Sequence, residues 1–122
     1  MEVSTLSRNG FGFTDGILPA ACPSRTVLDH VTSKWGVLVL IALTDGRLRW
    51  SELRTTVQGV SEKMLAQTLR TLEADGFVLR EAQATIPPRV DYSLTPLGVE
   101  LSERLLPLMD WIATNADEIV SR

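Results

Sequence analysis

The sequence predicts a mainly α fold with one small β-hairpin, in the order α-α-α-α-β-β-α. Three observations predict it. Residues 34–43 are nearly all apolar (Trp35, Val37, Leu38, Val39, Leu40, Ile41, Leu43), which suits a helix buried on several sides. In residues 61–75, a turn of about 100° per residue puts Leu65, Leu69 and Leu72 on one side and Lys63, Gln67 and Arg70 on the other. Residues 77–94 hold two strand-like runs, Phe77–Glu81 and Val90–Leu94, around a loop stiffened by Pro87-Pro88. Two helices joined by the tight turn Gln58-Gly59-Val60 and followed by a hairpin make a winged helix-turn-helix.

The elements follow in order. Residues 1–21 are expected to form a flexible arm, because Gly and polar residues dominate and no period is evident. The folded domain is expected over 22–119. Cys22-Pro23 opens the first helix, since proline suits a first turn whose amide would be orphaned anyway. Val27, Leu28 and Val31 give that helix its apolar face. Asp45-Gly46 stops the second helix with a residue that accepts the left-handed conformation. Trp50–Val57 is the third. Ser61 caps the fourth, Glu62 suits its positive end, and Gly76 ends it. Thr95-Pro96 starts the last helix, in which Leu97, Leu101, Leu105, Leu108 and Ile112 recur at helical spacing and Pro107 is expected to produce a kink.

Composition narrows the function. A chain of 122 residues is one domain by length, with a core small enough to make oligomerisation expected. The longest apolar run, Val37–Leu43, is far short of the roughly 18–20 residues that span a bilayer. Residues 1–21 lack the basic start and apolar stretch of a secretory signal, so the expected location is the cytoplasm, with no membrane partner. A single cysteine allows no intrachain disulfide, and His30 is the only other soft ligand, so neither metal nor cofactor is expected. No nucleophile–base pair and no Gly-rich phosphate loop argue for an enzyme. The net charge is −3, yet residues 47–89 carry seven basic side chains against five acidic, and residues from 90 onward two against six. Local charge sets the field that a phosphate backbone meets, which makes double-stranded DNA the expected partner of the middle of the chain.

Lys63, Gln67 and Arg70 recur at i, i+4 and i+7 on the polar side of the helix 61–75. Arg prefers guanine edges and Gln can pair with adenine. Ser61 and the amides at the start of that helix suit a phosphate. Gln83 and Arg89 on the wing are expected to reach a flanking phosphate or the minor groove, and Arg49 and Ser51 at the start of the third helix the backbone. The plain alternative for each is a solvated surface residue. Cys22 lies at a helix N-terminus, where the dipole favours a thiolate and makes it a candidate redox sensor. The alternative there is a packed, inert thiol.

The motifs together resemble the HxlR-type family of winged helix-turn-helix transcription regulators. The resemblance is carried by Cys22-Pro23, Lys34-Trp35, Gly46 with Arg49-Trp50-x-Glu52-Leu53, and the run from Gly59-Val60-Ser61 through Lys63-Met64-Leu65, Gln67, Leu69-Arg70, Leu72-Glu73 and Asp75-Gly76. It continues in Pro87-Pro88-x-Val90-x-Tyr92-x-Leu94-Thr95 and Leu108-x-x-Trp111. The sequence departs from the family pattern at Thr32-Ser33, where paired glycines are usual, and in a less aromatic, less basic wing. The resemblance implies a homodimer built from the first and last helices, with Val27, Leu105, Leu108, Trp111 and Ile112 in its seam. It implies that helix 61–75 enters the major groove of an inverted-repeat operator, and that Cys22 senses oxidants or electrophiles. Two other readings compete: a winged-helix protein-interaction module that does not bind DNA, and a regulator gated by a small-molecule effector instead of Cys22.

Overall fold

The computed structural model describes residues 17, 18 and 20–122, so most of the arm expected over 1–21 lies outside the described residues. The described residues divide into two compact units, those up to Thr32 and residues 33–122. The described part of the first is centred on α1 (Pro23–Val31), whose first residue is the expected proline and whose N-cap is Cys22. Arg25 Nη1 donates to the Leu18 carbonyl at 3.0 Å, and Thr32 Oγ1 closes the helix on the Leu28 carbonyl at 2.6 Å.

The second unit runs α2 (Lys34–Ala42), a 3-10 turn (Leu43–Asp45), β1 (Leu48–Arg49), α3 (Trp50–Thr56), α4 (Glu62–Ala74), β2 (Val78–Gln83), β3 (Arg89–Leu94) and α5 (Pro96–Val120). The expected hairpin is thus part of a three-stranded antiparallel sheet in the order β1-β3-β2. β1 pairs Leu48 with Tyr92 and Arg49 with Asp91. Two residues are too few to show an alternating pattern, which is why the sequence does not announce this strand. The wing strands also run longer than the apolar runs suggest, to Gln83 and from Arg89, and leave a loop of residues 84–88.

The core lies where α2 packs on α4 and α5. Val39, Leu40, Leu53, Leu65, Leu72 and Val78 are almost completely buried in it. Three helix starts carry a side-chain cap: Ser33 Oγ accepts from Gly36 N, Ser61 Oγ from Met64 N, and Thr95 Oγ1 from Gly98 N, all at 3.0–3.1 Å. The end of α4 is a Schellman motif, with Phe77 N donating to the Leu72 carbonyl and Gly76 N to that of Glu73. Gly76 has φ +86°, which a residue with a Cβ adopts only under strain.

The joint between α4 and α5 is tight. Thr95 Oγ1, besides capping α5, donates to the Gly76 carbonyl at 2.6 Å, and Thr95 N donates to the carbonyl of Phe77 at 3.0 Å. A Cβ on Gly98 would lie 2.1 Å from that same Phe77 oxygen, so only glycine lets α5 sit this close. α5 then continues as one helix through Pro107, where the missing amide leaves the Glu103 carbonyl without its helical donor.

Candidate nucleic-acid interface

α4 is held by one side only. Leu65, Leu69 and Leu72 are 0%, 2% and 1% exposed, and burying each contributes roughly 1.5–3 kcal/mol. Lys63, Gln67 and Arg70 are exposed on the other side, with no ion pair or hydrogen bond among the described residues. Ser61 is exposed at the helix start, its oxygen accepting from Met64 N while its proton stays available to an acceptor. α3 is set against α4 across a turn in which Gly59 takes φ +88°, and Arg54 of α3 reaches Glu62 of α4 at 3.3 Å.

The other four predicted contacts meet in one place. Arg49, Ser51, Gln83 and Arg89 line a single cleft of about 550 Å3 between the start of α3 and the wing. Arg49 is the N-cap of α3; its amide donates to Glu52 Oε1 at 3.0 Å and its guanidinium lies 3.7 Å from the same oxygen. Ser51 is exposed.

Gln83 and Arg89 are not free side chains. Gln83 Nε2 donates to Asp91 Oδ2 at 2.7 Å, and Arg89 Nε to Asp91 Oδ1 at 2.9 Å. Arg47 approaches the same carboxylate at 3.8 Å and Glu81 at 4.0 Å. Asp91 is only 2% exposed. The alternation Val90-Asp91-Tyr92 puts Asp91 on the solvent side of β3, and it is on that face, but its neighbours' side chains cover it. Asp91 ties the lead into β1, the end of β2 and the start of β3 to one point.

Sequence reasoning did not single out Asp91, Arg47 or Arg80. Asp91 and Arg47 become partners only once the strand register is known. Arg80 is exposed on β2 and, unlike the other arginines of the sheet, has no ion pair or hydrogen bond among the described residues.

The expected seam residues divide. Val27, Leu108, Trp111 and Ile112 are exposed, Trp111 by 57%. Leu105 is 8% exposed and packs in the subunit's own core; helical spacing does not separate core from seam positions, because the two share one period. Cys22 is half-buried and free. Among the described residues no three His, Cys, Asp or Glu side chains are grouped to hold a metal, and no single helix is long and apolar enough to cross a membrane.

Comparison with known proteins adds to this geometry. Residues 30–120 match the HxlR-like helix-turn-helix family. The HTH-type transcriptional regulator YtfH of Escherichia coli K12 is 57% identical over 100 residues, which cover 82% of this chain and 79% of that protein. A solved transcriptional regulator YtfH from Salmonella typhimurium superposes with a TM-score of 0.79 at 54% identity, covering 83% of this chain and 90% of the other. The redox regulator HypR in its oxidised form superposes with a TM-score of 0.71 at 37% identity, covering 77% and 97%.

Proposed function

The chain belongs to the HxlR-like helix-turn-helix family and is a transcriptional regulator, not an enzyme, and on that premise we propose that it binds double-stranded DNA as a homodimer with α4 of each subunit in a major groove. The observation that carries this reading is the two-sidedness of α4. Its leucines anchor it to the core while Lys63, Gln67 and Arg70 stay exposed and uncommitted. Two such helices would read an imperfect inverted repeat whose half-sites lie about 34–36 Å, or a small multiple, apart. Ser61, Arg49 and Ser51 contact the backbone. Gln83 and Arg89, tied to Asp91, give the wing a fixed shape beside the duplex. Val27, Leu108, Trp111 and Ile112 supply the apolar surface of the dimer, with Leu105 supporting it from inside.

The test is a fluorescence-anisotropy titration on the DNA flanking the protein's own gene. Lys63→Ala and Arg70→Ala are each expected to cost about 1–3 kcal/mol of binding. Unchanged titrations for both variants would reject the α4 assignment. Sedimentation of the free protein as a monomer at micromolar concentration would reject the dimer.

A redox input through Cys22 is favoured by two observations: Cys22 is the accessible N-cap of α1, and the chain is similar to a redox regulator. Diamide is expected to release the DNA, reducing agent to restore binding, and Cys22→Ser to abolish the response. A wild-type protein that holds its DNA through diamide treatment leaves Cys22 a packing residue. A bridge between two copies of Cys22 requires Cα atoms within about 7 Å.

A further inference from the structure

Seven basic side chains lie between residues 47 and 89, and the structure sorts them. Arg47 and Arg89 are paired with Asp91, Arg49 with Glu52, and Arg54 with Glu62. Lys63, Arg70 and Arg80 have no such partner among the described residues. Two of these three converge. Arg70 of α4 and Arg80 of β2 line one cleft of about 320 Å3, whose other walls include Trp50, Leu69 and Tyr92.

The convergence follows from periodicity. Arg80 stands opposite Tyr92 in the β2–β3 ladder, so both side chains leave the sheet on one face, and Tyr92 shows this to be the core side. Ala66, Arg70 and Glu73 follow one another along the flank of α4 that borders the cleft, and Lys63 lies three residues before Ala66 on the same flank. Glu73 is the one carboxylate lining the cleft. Two guanidinium groups against one carboxylate leave a net positive charge beside aromatic walls, and low-dielectric walls focus the field. Guanidinium groups pair with phosphate oxygens through parallel N–H donors.

We propose that this cleft is an oxyanion site that takes a backbone phosphate of the bound duplex, with Arg70 as its ligand from α4 and Arg80 as its ligand from the wing strand. The site rests on the DNA-binding function proposed above. A free phosphate-bearing small molecule presents the same chemistry, and the experiment separates the two sources.

The full chain is titrated by anisotropy against a labelled mixed-sequence duplex from about 50 to about 200 mM salt, and folding of each variant is checked by circular dichroism. R80Q is expected to lower affinity several-fold at the lowest salt and to reduce the slope of log K against log salt by about 0.9, equally on unrelated sequences. R80K keeps the slope, because the charge remains. E73Q raises affinity. A folded R80Q with the wild-type slope overturns the site while leaving DNA binding intact. A wild-type protein that does not bind the duplex at low salt overturns both. In a third arm, inorganic phosphate replaces chloride at constant ionic strength. Displacement of the duplex from wild type but not from R80Q supports the site. Displacement from wild type, combined with an unaltered R80Q duplex titration, makes the cleft a free-anion pocket and overturns the DNA assignment.

Discussion

The exposed flank of α4 and the root of the wing carry the same kinds of side chain under opposite electrostatic conditions. On α4, Lys63, Gln67 and Arg70 project from a helix fixed by leucines, and their side chains make no ion pair or hydrogen bond among the described residues. At the wing root, Arg47, Arg89 and Gln83 close around one buried carboxylate. A basic residue of the first kind offers its full charge to a phosphate. One of the second kind has already spent its attraction on shape. Basic residues near a DNA surface therefore cannot be counted as equal contributors to affinity.

Four substitutions sharpen or break the contrast. The largest effect is expected from Leu65→Ala, which removes a completely buried anchor of α4 and lowers the unfolding free energy by about 2–5 kcal/mol in a denaturant titration. Lys63→Ala on the opposite side shifts the same titration by no more than about 0.5 kcal/mol. Equal losses for the two would mean that α4 is not held from one side. Next comes Asp91→Ala. It strips charged hydrogen-bond partners from Gln83 and Arg89, with an expected cost of about 1–3 kcal/mol and faster proteolysis of the 84–88 loop. A stability matching wild type would show that the tie contributes nothing. Smallest is Arg89→Gln, expected to leave the salt dependence of DNA binding where it was, because its guanidinium is already compensated by Asp91. A slope reduced as far as that of an Arg70 variant would put Arg89 among the free cations.

How much of this was legible beforehand follows from the range of each interaction. The two sides of α4, its Ser61 cap and its Gly76 stop depend on residues three or four apart, and local periodicity displays them directly. The Thr95-Pro96 start of α5 is equally local. β1 was not legible, because Leu48 and Arg49 become a strand only by pairing with Tyr92 and Asp91 more than forty positions away. The Asp91 tie and the Arg70–Arg80 cleft depend on the same register, so a list of basic residues could not separate paired from unpaired ones. The leucine row of α5 shows the limit in another form. Leu105 and Leu108 share one period, yet one is 8% and the other 50% exposed, and no residue of the helix after Leu105 is buried.

The tight seat of Gly98 against the Phe77 carbonyl has a mechanical consequence. A helix of 25 residues is about 37 Å long, and this one is clamped at its first turn to the corner where α4 ends. A tilt of about 5° at the clamp carries the far end through about 3 Å, and leverage works equally in reverse. The outer half of this rod is therefore a long lever arm on the corner where α4 ends, and Pro107, where one helical hydrogen bond is missing, lies part way along it.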